Sequence, residues 1–320
     1  MSNVITVTTG ARLHFGPLAC GSGRGRRFGG IGMMIAFPRC RVRVRRSAEN
    51  QIAAPADLEF RIEQVLSACQ AALPQLGPVR IEILEEIPAH RGFGAGTQVS
   101  LAIARALSEL AGERNLGSAA MAARSGRGDR SAIGLHGFDR GGFLVDAGKH
   151  PTERLGALAC RQPVPEEWRI VLACRESTVG LSGESERAAF ARLAPMSIET
   201  SDRLSRIVLT EILPALQQGD CPAFQSALAE YGNLVGQYFS PIQEGPFSDL
   251  HLWKVSEARR REGIGGLVQT SWGPTAAICC GSESEAVATE TSLRQTLGPG
   301  YRTWIVRPAN DGAEIQASGA

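Results

Sequence analysis

The sequence has little lysine, little net charge and no long apolar run. Lys149 and Lys254 are the only lysines, and the formal net charge is +2. So small a charge does not by itself indicate a nucleic acid or a membrane as partner. Membrane helices need runs of about 18 apolar residues, and none is present. The basic residues are thus almost all arginines, whose rigid donor fork suits phosphate and carboxylate ligands.

The eight cysteines are scattered and form no zinc motif. There is no CxxC pair and no Cys/His spacing suited to zinc. Several cysteines lie in apolar, strand-like runs, where a free thiol behaves as a small buried hydrophobe. Free thiols indicate a reducing compartment, and the N-terminus lacks the pattern of a secretory signal. We therefore expect a cytoplasmic protein without a structural metal.

The chain is long enough for two domains, with 320 residues. Strand-like segments alternate with amphipathic helical segments, and some strands are adjacent, which is typical of an α+β fold rather than a doubly wound sheet. Prolines and mixed polarity mark the segment from Lys149 to Glu167. We place the domain junction there, so that the predicted domains are residues 1–155 and 156–320.

A glycine-rich loop lies between a predicted strand and a predicted helix. It holds Gly92, Gly94 and Gly96, and Thr97 follows. Glycine lets a backbone turn tightly and approach an anion, while the helix that follows adds unpaired N–H donors. Thr97 is placed either to cap that helix or to bond a phosphate oxygen. The loop predicts a phosphate site, although its spacing matches neither the Walker nor the dinucleotide fingerprint and a purely geometric turn stays open.

Three further clusters combine glycine with polar side chains. The first is Arg12-Leu-His14-Phe, with a glycine–arginine run from Gly21 to Gly32 behind it. The second runs from Gly126 to Gly134, and the third is Ser271-Trp-Gly-Pro274. The first two have the composition of anion-binding turns, and a tryptophan can stack an aromatic ligand. Their alternatives are an RNA-contacting segment, a surface loop and a tryptophan packed at a strand entrance.

Together these segments resemble the β-ribofuranosylaminobenzene 5'-phosphate synthases of the GHMP kinase superfamily. The matching segments are Arg12–Gly16 with Gly29–Gly32, Pro88–Gln98, Gly126–Gly134 with Gly141–Asp146, and Ser271–Pro274. They occur in the family's order over most of the chain. The resemblance implies an N-terminal GHMP-type domain and a C-terminal ferredoxin-like domain, assembled as a homodimer.

The resemblance also implies a reaction. In that family 4-aminobenzoate and phosphoribosyl pyrophosphate give a C-riboside phosphate, carbon dioxide and pyrophosphate, in tetrahydromethanopterin biosynthesis. The expected partners are small molecules, with Mg²⁺ bound to phosphoribosyl pyrophosphate and no organic cofactor. 4-Hydroxybenzoate has nearly the same shape and stays open as the acceptor. Ala95 and Gly96 occupy positions where the superfamily's kinases usually carry serines, which counts against phosphoryl transfer.

Site roles follow from this chemistry, because the departing pyrophosphate is a polyanion that donors must stabilise. The residues predicted to be catalytic are Arg12, His14, Arg130 and Asp146. Those predicted to bind substrate are Arg26, Arg27, His90, Gly92, Gly94, Gly96, Thr97, Gln98, Arg127, Ser131, Ser271, Trp272 and Gly273. No metal ligand is assigned.

Two other functions stay open. The first is an ATP-dependent small-molecule kinase on the same fold. The second is a non-catalytic protein that binds a ligand or RNA, with salt-dependent affinity through Arg24–Arg27.

Overall fold

Two sheets and ten α-helices organise the residues that the structure describes. It is a computed structural model, and it describes residues 3–21, 25–178, 180, 183–270 and 272–319. The strands are β1 (Val4–Gly16), β2 (Gly30–Arg46), β3 (Gln51–Ala53), β4 (Val79–Glu85), β5 (Phe143–Asp146), β6 (Leu158–Gln162), β7 (Arg169–Arg175), β8 (Val268–Gln269), β9 (Thr275–Cys280), β10 (Tyr301–Val306) and β11 (Glu314–Ser318).

The helices lie between these strands. They are α1 (Ala56–Ala72), α2 (Ala95–Leu110), α3 (Ser118–Ser125), α4 (Ile133–Arg140), α5 (Gly183–Arg192), α6 (Ile198–Ile207), α7 (Leu213–Gln218), α8 (Cys221–Gln243), α9 (Leu250–Arg261) and α10 (Glu283–Leu297). A π-helical turn (Val208–Ile212) joins α6 to α7. In the described part of the chain, no helix combines the length and apolar character that crossing a membrane requires.

The first sheet is built around the long strand β2. The strand order is β11-β1-β2-β4-β3, and β5 pairs with β2 and with β6. At 17 residues, β2 is long enough to pair with β5 near its start and with β4 near its end. Val42 and Val44 are buried, while Arg43 and Arg45 point the other way, as period-2 alternation requires. The arginines of this segment therefore lie on the solvated face of the strand.

The second sheet is antiparallel, with the order β10-β7-β9-β8. Along the chain its elements run β7, helices, β8, β9, α10, β10, which is the β-α-β-β-α-β succession of a ferredoxin-like domain. The predicted α+β class is therefore confirmed. Two later strands, β6 and β11, pair within the first sheet, so the chain returns to it after residue 155. The division at 155/156 as a boundary between folding units stays a prediction.

A single hydrophobic cluster lies between the sheets. It joins side chains of the first sheet, such as Leu13 and Met33, to Trp168, Leu172 and Phe224 of the second half. The other face of the second sheet has its own smaller cluster, beneath α9 and α10. Helix α2 packs on β1, β2 and α1 and is buried on most sides. Its N-terminus therefore has a fixed position between the two halves.

Candidate active site

The glycine loop has the backbone shape that the sequence predicts. Gly92 and Gly94 have φ values of 83° and 71°, in the left-handed region that favours glycine. Gly94 is the N-cap of α2, and no side chain caps this helix. The backbone N–H of Thr97 donates to the Gly94 carbonyl over 2.9 Å. The capping role considered for Thr97 is therefore wrong, and this half-buried residue lines the cavity beside the loop.

Hydrogen bonds from both halves of the chain fix this loop. The Arg12 N–H donates to the Phe93 carbonyl (3.0 Å), and the Gly180 N–H donates to the His90 carbonyl (2.8 Å). The Thr275 hydroxyl donates to the Arg91 carbonyl over 2.7 Å. These bonds occupy the carbonyls of the loop. At the start of α2, the N–H groups of Ala95 and Gly96 have no backbone partner among the described residues and can donate to an anion.

Three arginines surround the loop in a cavity of about 250 Å³. A Cβ at Gly94 would lie 2.8 Å from Arg12 Nε. A Cβ at Gly96 would lie 3.1 Å from Arg61 Cζ and 3.2 Å from Arg127 Nη2. Arg127 Nη2 donates to the Gly96 carbonyl over 2.8 Å. Because these glycines carry no side chain, three guanidinium groups converge on the N-terminus of α2. We call this the phosphate cavity.

The charges in the phosphate cavity are only partly compensated. Burial lowers the pKa of Arg61, since desolvation disfavours its charged form. Among the described residues, Arg61 has no hydrogen-bond or ion-pair partner, and Arg127 Nε is buried without one. Asp57 and Glu86 also line the cavity, and such carboxylates can bind a divalent cation together with a phosphate. The cavity is suited to a polyanion accompanied by a divalent cation.

A second cavity, the aromatic pocket, is lined by Phe190, Phe239, Trp272, His14 and Arg130. The rings of Phe239 and Trp272 stack with centroids 4.2 Å apart. Phe190 packs edge-on against both, and Arg130 Cζ lies 4.7 Å above the Phe190 ring. The pocket itself has a volume of about 40 Å³, and through Phe28, Phe190 and Arg130 it borders a neighbouring cavity of about 280 Å³. Its rings and guanidinium group are chemically complementary to a planar aromatic anion, for which the neighbouring cavity adds space.

Strand β1 connects the two cavities. Arg12 lines the phosphate cavity and His14 lines the aromatic pocket. Residues two apart on a strand share a face and lie about 7 Å apart. Burial, together with the nearby charges of Arg12 and Arg130, holds the pKa of His14 well below its ordinary value. The imidazole is therefore neutral at neutral pH, and its Nε2 has no hydrogen-bond partner among the described residues.

Asp146 lies behind the site rather than in either cavity. It is fully buried, and burial raises the pKa of its carboxyl group. One oxygen accepts from the Ala132 N–H (2.7 Å) and the other from the Gly148 N–H (2.8 Å). The carboxylate thus holds the end of the turn that carries Arg130. This geometry supports a positioning role, and direct contact of Asp146 with a substrate has no support in it.

Other predicted residues are divided between the cavities and the framework. His90, Gly92, Gly94, Gly96, Thr97 and Arg127 line the phosphate cavity, and Ser131 and Trp272 line the aromatic pocket. Gln98 is fully buried and bonds Thr9 and Gly134, so it joins α2 to β1 and α4 instead of facing a cavity. Gly273 lies in the turn after Trp272. Ser271 falls outside the described residues.

Arg26 and Arg27 are not among the residues that line the two cavities. Arg26 forms an ion pair with Glu153 and donates to the Gly148 carbonyl over 3.0 Å. Arg27 is exposed, and its backbone pairs with Lys149. Their predicted contact with substrate phosphate therefore stays a prediction, without geometric support here.

The residues that the sequence did not reveal come from helices. Asp57 and Arg61 are four apart on α1 and so share a face, as i,i+4 spacing requires. Nothing in their spacing shows that this face covers the glycine loop. Phe190 and Phe239 lie on α5 and α8 and have ordinary amphipathic positions. Only tertiary packing brings these side chains to the site.

Similarity to known proteins identifies the fold class of the chain. The family model of the GHMP kinases N terminal domain matches residues 61–141. The fold is similar to that of homoserine kinase from Cytophaga hutchinsonii, with a TM-score of 0.64 at 15% identity, covering 99% of this chain and 98% of that one. Mevalonate diphosphate decarboxylase from Staphylococcus aureus gives a TM-score of 0.71 at 12% identity, with 99% and 98% covered. The chain has the fold of the GHMP kinases.

Relatives of known name identify the family within this fold class. A beta-ribofuranosylphenol 5'-phosphate synthase from Archaeoglobus fulgidus is 30% identical, covering 98% of this chain and all of that protein. Another, from Methanothermobacter thermautotrophicus, is 28% identical, with 97% and 98% covered. The chain belongs to the beta-ribofuranosylphenol 5'-phosphate synthase family. This membership confirms the resemblance seen in the sequence and the prediction of an enzyme that acts on small molecules.

Proposed function

We propose that the chain transfers the 5-phosphoribosyl group of phosphoribosyl pyrophosphate to the carboxylate-bearing ring carbon of a para-substituted benzoate. The products are a ribosyl arene 5'-phosphate, carbon dioxide and pyrophosphate. The relatives are named for a phenol, whereas the sequence resemblance was to the synthases named for an aminobenzene. Both 4-hydroxybenzoate and 4-aminobenzoate are therefore acceptors to test.

One observation carries the proposal: the phosphate cavity, with its three arginines, and the aromatic pocket are lined by Arg12 and His14, which lie two residues apart on one strand. A transfer from a pyrophosphate ester to an arene needs this pair of sites, with the reacting carbon between them. Arg12, Arg61 and Arg127 would stabilise the charge on the departing pyrophosphate. The buried surroundings would keep water from the activated ribose.

The reaction breaks two bonds and forms one. The ribose C1–oxygen bond breaks, and its electron pair leaves with pyrophosphate. The ring carbon bearing the carboxylate then bonds to ribose C1, with electrons pushed by the para substituent. Finally, the ring–carboxylate bond breaks, carbon dioxide leaves, and its electron pair restores the aromatic ring. No side chain has to act as a nucleophile, and the residues bind, orient and exclude water.

We propose Mg²⁺ as the metal that accompanies phosphoribosyl pyrophosphate. Among the described residues no group of three or more His, Cys, Asp or Glu side chains forms a metal site. Mg²⁺ commonly binds through one or two carboxylates plus substrate phosphates, and Asp57 and Glu86 supply such carboxylates in the phosphate cavity. When bound, the ion would neutralise charge on the pyrophosphate.

Release of labelled carbon dioxide from carboxyl-labelled 4-hydroxybenzoate and 4-aminobenzoate tests the reaction. We expect release from at least one acid that depends on the protein, Mg²⁺ and phosphoribosyl pyrophosphate together, with stoichiometric pyrophosphate. The ATP-dependent kinase alternative predicts ADP formation instead. Absence of release from both acids, in a protein with a normal thermal midpoint, would contradict the proposal.

Replacement of Arg61 tests the phosphate cavity. Arg61→Ala should raise the KM for phosphoribosyl pyrophosphate roughly 10- to 100-fold, because a hydrogen bond to a charged group contributes about 1.5–3 kcal/mol. The KM for the arene should change little. Arg43→Ala removes the same charge from the exposed face of β2 and serves as the control. An unchanged KM for phosphoribosyl pyrophosphate in Arg61→Ala would exclude Arg61 from the site.

We also propose a homodimer in the cytoplasm, where phosphoribosyl pyrophosphate is available. Light scattering coupled to gel filtration would measure the oligomeric state.

A further inference from the structure

Two buried polar atoms of the aromatic pocket have no hydrogen-bond partner among the described residues. They are His14 Nε2 and Trp272 Nε1. The two residues are 8% and 4% exposed, so water does not freely solvate them. A buried polar atom without a partner costs free energy, and proteins seldom retain one unless a ligand completes it. Both residues line the same pocket.

The surroundings of these atoms identify the ligand's chemistry. Phe190 and Phe239 line the pocket and pack edge-on against each other, so its wall is aromatic and suits a flat ring. Trp272 Nε1 can only donate a hydrogen bond, so it requires an acceptor such as an oxygen. The Arg130 guanidinium adds positive charge over the Phe190 ring. The complement of this set is a planar aromatic ring that carries an oxygen anion.

The imidazole of His14 lies close to the backbone of β2 at Gly30. A Cβ at Gly30 would lie 3.1 Å from His14 Nε2, and the φ of Gly30 is 142°. The imidazole edge thus lies against a backbone position without a side chain. His14 is also held on the same strand face as Arg12 of the phosphate cavity. A ligand at His14 would therefore lie about 7 Å along the strand from a ligand at Arg12.

We propose that the aromatic pocket, together with the neighbouring cavity that shares Phe190 and Arg130 with it, is the acceptor site, in which Phe190 and Phe239 contact the arene ring while His14 Nε2 and Trp272 Nε1 bond its oxygen substituents. This inference rests on the proposed function and deepens it, since it assigns the acceptor to particular residues. Trp272 and His14 then determine acceptor affinity, whereas the arginines of the phosphate cavity determine affinity for phosphoribosyl pyrophosphate.

Calorimetric binding tests this assignment without catalysis. 4-Hydroxybenzoate and 4-aminobenzoate are titrated into the full-length protein, with and without inorganic pyrophosphate and Mg²⁺. The variants are Trp272→Phe, which keeps a ring and removes the N–H, and His14→Gln. Each should weaken binding of the aromatic acid about tenfold, the effect of one lost hydrogen bond, while pyrophosphate binding stays unchanged.

Trp253→Phe is the matched control. The Trp253 indole N–H is also buried without a partner among the described residues, but Trp253 lies on α9 and is not among the residues that line the aromatic pocket. It should leave binding of both acids unchanged. Equal affinity of wild type, Trp272→Phe and His14→Gln for the acids would overturn the assignment. So would a wild-type protein that binds neither acid under any of these conditions.

Failure of this inference can be distinguished from failure of the proposed function. Carbon dioxide release with unaltered acceptor KM in Trp272→Phe and His14→Gln would retain the reaction and reject the acceptor site. Selective loss of acid binding in these variants, without carbon dioxide release from wild type, would retain the site and reject the reaction.

Discussion

Gly96 lies where two guanidinium groups approach the first turn of α2. A methyl group there would lie 3.1 Å from Arg61 Cζ and 3.2 Å from Arg127 Nη2. Gly96→Ala should therefore displace both arginines and raise the KM for phosphoribosyl pyrophosphate. The same change should alter stability by no more than about 1 kcal/mol, because the gain of alanine over glycine in a helix is offset by the disturbed hydrogen bond from Arg127 to the Gly96 carbonyl. Steady-state kinetics and thermal unfolding measure the two effects separately.

The control for this prediction is Gly117→Ala, since no atom lies within 4 Å of a Cβ at Gly117. It should leave the KM unchanged. A Gly96→Ala protein with wild-type kinetics would show that the arginines do not bind phosphate in their present positions.

His14 gives a prediction about pH. Its pKa is well below 6.5 in the folded chain, mainly through burial, while the unfolded chain has the ordinary value. Between these two values the unfolded chain binds the extra proton, so the contribution of His14 to stability falls as pH falls below about 6.5. From pH 7.5 to 5.5, the free energy of unfolding of wild type should therefore fall relative to that of His14→Gln. Its slope cannot exceed about 1.4 kcal/mol per pH unit.

Denaturant unfolding of both proteins at several pH values measures this difference. The contributions of the other titrating groups largely cancel, because both proteins contain them. A difference that does not change with pH would show that His14 titrates normally in the folded protein.

Secondary-structure elements that have a local sequence pattern could be predicted. Elements that are recognised only by the strand or helix they pack against could not. The glycine loop and α2 follow each other in sequence, so the phosphate site could be placed there. Strand β11 is exposed at all five residues, and without an apolar alternation only its pairing with β1 reveals it. Between residues 198 and 218 the chain forms α6, a π-helical turn and α7 in succession, and no local sequence pattern marks this interruption. Nothing in the sequence distinguishes Phe190 and Phe239 as site residues, because they occupy helical positions like those of ordinary core residues.

The turn between α3 and α4 depends on a single buried carboxylate. Asp146→Asn replaces one acceptor with an NH₂ donor, so either the Ala132 or the Gly148 N–H loses its partner. We expect a loss of about 1–3 kcal/mol of stability. Acceptor affinity should also fall, because the turn carries Arg130. Asp139→Asn, at an exposed position at the end of α4, is the control.

This variant also distinguishes positioning from catalysis. A positioning role predicts that lower stability and weaker acceptor binding occur together. A complete loss of kcat with unchanged stability and affinity would indicate that Asp146 acts on the substrate.

At the scale of the whole molecule, the two sheets share one core, so the halves should not fold separately. Residues 1–155 would lack β6 and β11, leaving the β5 and β1 edges unpaired. They would also expose the apolar side chains that Trp168, Leu172 and Phe224 cover in the full chain. Unpaired edges and exposed core surface favour aggregation.

We therefore expect the full chain to unfold in one transition, and the fragment 1–155 to be unfolded or aggregated. Calorimetry of the full chain, with equal calorimetric and van't Hoff enthalpies as the criterion, and circular dichroism of the fragment measure this. A folded, soluble fragment would show that 155/156 is a true boundary between folding units, and that the active site forms only when two independent domains dock.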